Sequence, residues 1–226
     1  YFTDSRYIEE VKKELSGFSI RQLNSGAFRA IAQEVSRLGL QNLGFEEGHL
    51  VFSQYRALKD CLGAKAGLFP ANGIIEEARL IKNTGDLARI RKATDIAIAA
   101  LKFGKELLLG PGIREVELAG ELERFIRYNG GYASAFDIIV ASGAASSQPH
   151  HLTSDKRINK DEPVLIDIGV DYQGYKSDLT RVFFSDRINP TFRKVYDIVR
   201  RAQDRAIRAI RPGVFINKID YTARRY

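Results

Sequence analysis

The sequence is poor in the residues and patterns that mark secreted and membrane proteins. It has a single cysteine, Cys61, among 226 residues, so it cannot form an internal disulfide. No apolar run approaches the roughly 18 residues that a membrane-spanning helix needs, and no secretory signal follows Tyr1. These absences predict a protein of the reducing cytoplasm that makes no contact with a membrane.

Methionine is missing from the whole sequence, which begins with Tyr1. At a typical frequency of roughly 2% per residue, such an absence is unusual in a complete gene product. Two explanations stay open: the chain is a fragment, or modified methionines were left out of the sequence. In the second case some spacings between residues would be short by one.

Basic residues outnumber acidic ones, and the formal net charge is +7. The densest positive segment, residues 193–211, follows a helical period that places its apolar residues on one face, as a solvated amphipathic helix does. Elsewhere Lys and Arg are interspersed with Asp and Glu, and no basic stripe carries interleaved aromatic residues. We therefore expect no nucleic-acid partner.

Short helical and extended segments alternate over the first domain, residues 1–75. Helices and extended segments are predicted in turn over residues 5–15, 18–23, 28–38, 42–45, 51–62 and 68–70. This alternation is typical of a small α/β layer domain. Because no glycine-rich fingerprint accompanies it, we assign no chemistry to this domain.

The pattern changes near Asn72-Gly73, and we place the domain boundary between residues 75 and 76. A long helix is predicted from Thr84, which has a side chain suited to an N-cap. This helix opens a second domain, residues 76–226.

The second domain contains an internal repeat in which two helices flank a Pro-Gly turn, first at Pro111 and again at Pro212. After the first copy, strands are predicted over residues 136–140, 163–170 and 175–184. After the second copy the chain ends at Tyr226 without strands. We therefore expect the sheet of the second copy to lie outside this sequence.

Two of these strands form a predicted β-hairpin. With residues 171–174 as its loop, Asp167 and Asp178 face each other on neighbouring strands, with β-carbons roughly 4.5–5.5 Å apart. Two carboxylates so placed repel each other, and the apolar neighbours leave little water to screen them. A shared proton, an arginine or a divalent metal ion could compensate, and hard cations prefer oxygen ligands. A surface hairpin, with aspartates facing solvent or paired with Arg181 or Lys176, stays open as the alternative.

Residues 136–184 contain a series of distinctive motifs: Phe136-Asp-Ile-Ile-Val-Ala-Ser-Gly143, Pro149-His150, Ser154-Asp155, Ile166-Asp-Ile-Gly169 and Gly174-Tyr-x-Ser-Asp-x-Thr-Arg181. In these motifs the sequence resembles the metallopeptidases that include Xaa-Pro dipeptidase (prolidase) and aminopeptidase P. The intervals from His150 to Asp167 and from Asp167 to Asp178, 17 and 11 residues, also match the family. More loosely, Tyr1-Phe-Thr-Asp-Ser-Arg-Tyr7 and Glu77-x-Arg-Leu-Ile-Lys82 resemble the creatinase-like N-terminal domain and the linker that follows it.

The resemblance implies an α/β N-terminal domain followed by an α+β catalytic domain of the "pita-bread" type, incomplete in this chain. It implies that Asp167 and Asp178 bind metal, and that His150 contacts the substrate and steadies the charged tetrahedral intermediate. The family's remaining histidine and two glutamate ligands are expected beyond Tyr226. Tyr175, Thr180 and Arg181 match positions that support the site, whereas His151 receives no role and His49 is expected at the surface of the first domain.

By the same resemblance, the function is hydrolysis of Xaa-Pro peptide bonds, by a dipeptidase or an aminopeptidase, with two divalent ions, Mn²⁺ or else Co²⁺ or Zn²⁺. Proline-containing peptides are the expected partners, a homodimer is the expected assembly, and the present chain alone is expected to be inactive. A non-catalytic peptide-binding or histone-binding relative and a metal-free, creatinase-like hydrolase are the alternatives, and the two aspartates count against both.

Overall fold

The structure is a computed structural model that describes residues 1–24, 26–184 and 187–226. It divides into two compact units, Tyr1–Ile81 and Lys82–Tyr226. The boundary proposed from the sequence, between residues 75 and 76, falls inside the last helix of the first unit. Across the described residues, no helix combines the length and the apolar character that crossing a bilayer requires.

The first unit alternates strands and helices, as the sequence predicts. In chain order the elements are β1 (Phe2–Asp4), α1 (Ile8–Glu14), β2 (Arg21–Leu23), α2 (Ala27–Arg37), β3 (Asn42–Phe45), α3 (Phe52–Leu62), β4 (Gly67–Pro70) and α4 (Ile74–Leu80). Strands β1 and β2 pair in parallel, as do β3 and β4. A small core forms where α2 and α3 pack together through Ala32, Val35, Leu58 and Leu62. The predicted α/β domain is confirmed.

The second unit combines long helices with short antiparallel strands. Its elements are α5 (Thr84–Leu109), α6 (Glu115–Tyr128), β5 (Ala133–Ser134), β6 (Ile139–Ser142), β7 (Val164–Ile168), β8 (Val170–Tyr172), β9 (Tyr175–Lys176), β10 (Leu179–Phe183), α7 (Pro190–Ala209) and α8 (Ile216–Arg224). A short 3₁₀ helix, Gly143–Ser147, follows β6. The strands form two sheets, in the orders β10-β7-β6 and β5-β8-β9.

Helix α5 begins one residue away from its predicted cap. Asn83, and not Thr84, is the N-cap residue: its side chain accepts a hydrogen bond from the backbone N–H of Asp86. The Asp86 carboxylate accepts the backbone N–H of Asn83 in return, at 2.9 Å. This reciprocal capping box satisfies two donors that the first turn would otherwise leave unpaired.

The main core lies between helices α5 and α6 and the strands. In β7, Val164, Ile166 and Ile168 are buried in this core, because alternate residues of a strand point to opposite faces. Leu165 and Asp167 therefore occupy the other face of the sheet. The apolar side of the strand thus fixes the direction of the Asp167 side chain.

The hairpin has a different register from the predicted one. Tyr172 pairs with Tyr175, so the loop is the two residues Gln173 and Gly174, both with positive φ, and not the four residues 171–174. The shift by two residues places Thr180 opposite Asp167. Since side chains alternate with a period of two, this shift keeps each residue on its predicted face.

The second helix pair repeats the first, as predicted, with the Pro-Gly turn at Pro212 between α7 and α8. The two helices contact each other, and none of their residues is fully buried. Phe192 and Tyr196 of α7 pack edge-on against Phe184, at ring-centroid distances of 5.7 and 5.0 Å. Val195 and Val199 stay exposed.

Candidate metal centre and active site

An open cleft of about 640 Å³ lies beside the face of β7 that carries Asp167. It brings together the three residues expected to perform the chemistry: His150, Asp167 and Asp178. The full lining is Phe136, Asp137, Ile138, Ile139, Pro149, His150, His151, Leu152, Thr153, Asp167 and Asp178. The three side chains thus line one cleft, and the role of each in binding or catalysis stays a prediction.

Asp167 lies on the central strand of its sheet, between Ile139 of β6 and Thr180 of β10. The Thr180 hydroxyl donates a hydrogen bond of 2.6 Å to one carboxylate oxygen of Asp167. Within the described part of the chain, no other hydrogen bond or ion pair reaches this carboxylate. Its remaining lone pairs are therefore available to a ligand in the cleft.

Asp178 follows Ser177 in the hairpin, at a point where the backbones of Gly169 and Ser177 approach each other closely. A β-carbon on Gly169 would lie 2.4 Å from the carbonyl oxygen of Ser177 and 2.6 Å from the ring of Phe136, so only glycine fits. Ser177 is buried: its hydroxyl accepts from the backbone N–H of Val170 at 3.1 Å and donates to a carbonyl oxygen of helix α5 at 3.2 Å. Gly169 and Ser177 together anchor the backbone from which the exposed Asp178 side chain projects.

The revised register weakens the predicted repulsion between the two aspartates. Asp178 is now diagonal to Asp167 and not directly opposite it. Diagonal neighbours in a regular ladder lie about 7–8 Å apart, which leaves room for an ion between two carboxylates. The predicted direct pairing of Asp167 with Asp178 was wrong, because the turn has two residues and not four.

The three expected supporting residues behave differently. Thr180 contacts Asp167 directly. Tyr175 does not reach the aspartates: its hydroxyl donates to Asp86 at 2.5 Å, which lowers the pKa of Asp86 and raises the pKa of Tyr175. The Arg181 guanidinium donates to the carbonyl oxygen of Thr180 at 2.8 Å. The contacts therefore support a role beside the aspartates for Thr180 alone of the three.

The alternative of aspartates neutralised by nearby cations finds no support in these contacts. Arg181 is bound to a backbone carbonyl, and the Lys176 ammonium donates to the carbonyl oxygen of Ala135 at 3.3 Å. Among the described residues, neither cation forms an ion pair with Asp167 or Asp178. The two carboxylates thus line the cleft, and no cation in the described part of the chain neutralises them.

Two carboxylates on one cleft provide the oxygen donors that hard divalent cations prefer, but they form an incomplete ligand set. In the described ranges, the clustered group of three metal-ligating side chains is Glu46, His49 and Glu76, which belongs to the first unit. Asp167 and Asp178 have no third such partner within reach there. The donors fit a divalent metal ion, and among the described residues they form only part of a ligand set.

Sequence reasoning missed the buried carboxylate that lies beside the segment carrying His150. Glu115, the first residue of α6, is fully buried and accepts hydrogen bonds from Ser142, His151 and Ser154. Burial alone would raise the pKa of Glu115, but these hydrogen bonds outweigh it and lower the pKa to about 2. His151, expected to have no role, therefore has a specific partner. Glu115 resembled an ordinary acidic residue of a first helical turn, so its sequence position gave no sign of this contact.

Comparison with known proteins identifies the family. The model of metallopeptidase family M24 matches residues 88–226, and the model of the creatinase/prolidase N-terminal domain matches residues 1–81. The chain belongs to metallopeptidase family M24. The expected combination of a creatinase-like N-terminal domain with a pita-bread domain is thereby confirmed.

Among curated M24 relatives, the chain is 33% identical to an uncharacterized peptidase, YqhT, of Bacillus subtilis over 224 residues. It is 36% identical over 184 residues to an Xaa-Pro dipeptidase of Pyrococcus furiosus. These alignments cover 99% and 81% of this chain, but 63% and 52% of the two relatives. The chain therefore spans between half and two thirds of the length of these curated relatives.

Solved M24 structures agree in fold. The Xaa-Pro dipeptidase from Bacillus anthracis superposes with a TM-score of 0.94 at 36% identity. This superposition covers all of the present chain and 62% of the dipeptidase chain. The X-Pro aminopeptidase from Thermotoga maritima superposes with a TM-score of 0.91 at 30% identity, over 99% of this chain and 63% of its own. Dipeptidases and aminopeptidases thus both resemble the chain closely in structure.

Proposed function

We propose that the protein is a metal-dependent exopeptidase that hydrolyses the peptide bond between an N-terminal residue and proline. The observation that carries this proposal is the single cleft lined by His150, Asp167 and Asp178. Membership of family M24, with relatives named Xaa-Pro dipeptidase and X-Pro aminopeptidase, supports the choice of reaction and substrate.

In this proposal Asp167 and Asp178 bind divalent metal ions through their carboxylate oxygens. Mn²⁺ is the proposed ion, with Co²⁺ or Zn²⁺ as substitutes, and the remaining histidine and two glutamate ligands lie beyond Tyr226. Bound divalent ions supply an activated water nucleophile and polarise the scissile carbonyl. Thr180 holds one oxygen of Asp167 in place, which limits the rotamers the carboxylate adopts.

The exposed imidazole of His150 contacts the peptide substrate in the same cleft. An imidazole N–H can donate a hydrogen bond to the oxygen that becomes negatively charged as the carbonyl is attacked. Such a donor lowers the energy of the transition state more than that of the bound substrate. The substrates of the proposal are proline-containing peptides, and the protein acts as a cytoplasmic homodimer.

The test compares hydrolysis of Ala-Pro with hydrolysis of Ala-Pro-Ala by the complete gene product in the presence of Mn²⁺. Cleavage of either peptide, lost in Asp167→Asn, is the expected result, and the preferred peptide length separates a dipeptidase from an aminopeptidase. Cleavage of neither peptide by a metal-loaded protein would contradict the proposal and favour a non-catalytic peptide-binding relative.

A further inference from the structure

The segment that carries His150, residues 148–154, has no regular secondary structure. Among the described residues, the His150 side chain makes no hydrogen bond or ion pair. Its direction in the cleft therefore depends on how firmly the neighbouring backbone is held.

Three of the four residues after His150 are attached to the rest of the unit by side-chain hydrogen bonds. The Thr153 hydroxyl accepts from the backbone N–H of Val140 and donates to the carbonyl oxygen of Ile138, both at 3.0 Å. His151 and Ser154 bind one oxygen of Glu115, at 2.9 Å for His151 Nε2 and 2.7 Å for Ser154 Oγ. The segment is thus fixed along the free edge of β6 and at the first residue of α6.

Glu115 is suited to this anchoring role because each of its oxygens serves a different element. Oε1 accepts from the backbone N–H and the hydroxyl of Ser142, at 2.8 and 2.6 Å. Oε2 accepts from His151 and from the backbone N–H and hydroxyl of Ser154. Its position at the N-terminus of α6 further stabilises the negative charge through the helix dipole.

We propose that Glu115 and His151 are positioning residues for His150. The buried carboxylate holds the His151 ring through Nε2, and the fixed backbone at residue 151 sets the direction in which the adjacent His150 side chain enters the cleft. Only the predicted effect on catalysis rests on the proposed peptidase function. The anchoring of the backbone at residue 151 is independent of that function.

The chemistry of the pair fixes one proton. An ionised carboxylate has acceptors only, so the His151 Nε2 atom must carry the hydrogen that lies between the two side chains. Glutamine at position 115 would keep the shape of the side chain but supply one acceptor oxygen in place of two. Its amide N–H groups would then point at the N–H donors of either Ser142 or Ser154. Glu115→Gln therefore breaks the contact with either Ser142 or the His151–Ser154 pair.

Two variants and a matched control test the proposal in the complete gene product. Glu115→Gln replaces one of the two acceptor oxygens by an amide NH₂ group, and His151→Phe keeps a ring of similar size while removing the donor. Ser142→Ala, the control, deletes a hydroxyl that binds the other oxygen of Glu115 and leaves His151 and Ser154 untouched. If Glu115→Gln does not fold, His151→Phe decides the outcome.

Kinetics provide the first readout. We expect His151→Phe to lower kcat for Ala-Pro hydrolysis by about 10–100-fold with KM changed by less than about threefold, because a misdirected His150 stabilises the transition state less while the substrate still binds. Glu115→Gln should lower kcat by up to the same factor, since only one of its two contacts keeps an oxygen acceptor. Ser142→Ala should keep kcat within about twofold. Unchanged kcat in both variants would overturn the proposal.

Histidine NMR provides the second readout and needs no activity. His49, His150 and His151 are the three histidines of this sequence, and the histidine proposed beyond Tyr226 adds signals of its own, so the His150 signals are assigned by comparison with His150→Gln. In the metal-free protein we expect a protonated His151 Nε2 in slow exchange with water, and a single narrow set of His150 ring signals. The His150 signals should broaden or move in His151→Phe and stay unchanged in Ser142→Ala. If wild-type protein cleaves no Xaa-Pro peptide, the proposed function fails; unchanged His150 signals in His151→Phe would refute the anchoring in either case.

Discussion

The hydroxyl of Thr180 lies 2.6 Å from a carboxylate oxygen of Asp167, directly across the β7–β10 pair. This hydrogen bond orients the proposed metal ligand on the central strand of the sheet. Thr180→Val removes the donor while keeping a β-branched shape that suits a strand. We expect the affinity of the complete gene product for Mn²⁺ to fall by about 10-fold. Calorimetric titration of the metal-free protein with Mn²⁺ measures this affinity.

The matched control for this prediction is Thr222→Val, which deletes a hydroxyl bound to the carbonyl oxygen of Lys218 in helix α8. It should leave Mn²⁺ affinity unchanged. Equal affinity in the wild type and Thr180→Val would show that the hydrogen bond does not orient a metal ligand.

The close approach at Gly169 predicts a large effect of a single methyl group. In Gly169→Ala the new β-carbon meets the carbonyl of Ser177 and the ring of Phe136, so the strands beside Asp178 must separate. We expect a loss of about 1–3 kcal/mol in the free energy of unfolding, measured with urea. Gly120→Ala, in helix α6 with no atom within 4 Å of the new β-carbon, should be neutral or stabilising by up to about 1 kcal/mol. Equal stability of the two variants would be inconsistent with this packing.

The hairpin turn contains a residue that pays a conformational penalty. Gln173 has φ of 52°, in the left-handed region where asparagine is better tolerated, and Gly174 follows with φ of 80°. Gln173→Asn creates the Asn-Gly pair that two-residue turns favour, and should raise the free energy of unfolding by roughly 0.5–1 kcal/mol. Gly174→Ala should lower it. A destabilised Gln173→Asn would indicate that the contact of Gln173 with Arg89, at 3.3 Å, matters more than the backbone.

Glu115 makes acid stability a test of its hydrogen bonds. Its pKa falls from an ordinary value of 4.5 to about 2 in the folded protein. A carboxyl group whose pKa is lower in the folded than in the unfolded state stabilises the fold at pH values above its unfolded-state pKa. This stabilisation is lost as the pH falls through the folded-state pKa. For Glu115 the loss is about 3 kcal/mol of unfolding free energy between roughly pH 5 and 2. The difference in unfolding free energy between wild type and Glu115→Gln should therefore shrink as the pH falls. A difference that stays constant from pH 7 to 3 would mean that Glu115 is not ionised against these donors.

The sequence predicted the elements of the fold well where apolar periodicity was strong. Helices α2 and α5 begin within one residue of their predicted positions, since their buried faces impose a spacing on the sequence. The predicted register of the hairpin was wrong by two residues, because glutamine rarely adopts the positive φ that Gln173 has in the turn. The correct face for Asp167 survived this error, because a shift of two residues changes the partner and not the face.

The site was predictable in part for a similar reason. The hairpin pattern predicted that Asp167 and Asp178 lie on one face, and the family resemblance added His150; in the structure the three side chains line one cleft. Tyr175 was expected to support the site, and its hydroxyl binds Asp86, 89 residues earlier in the chain. The partnership of Glu115 with His151 joins residues 36 apart in the same way. Such contacts depend on how helices dock against the sheet, which residue spacing does not encode.

The most direct test of the account compares Mn²⁺-activated hydrolysis of Ala-Pro by two variants of the complete gene product. Asp178→Asn removes a proposed metal ligand, and Asp137→Asn makes the same change at an aspartate that lines the same cleft and has no proposed metal role. We predict that Asp178→Asn loses more than about 100-fold of the metal-activated rate, while Asp137→Asn keeps it within a few-fold. Wild-type metal activation in Asp178→Asn, or an equal loss in both variants, would contradict the assignment of this cleft as a metal-dependent peptidase site.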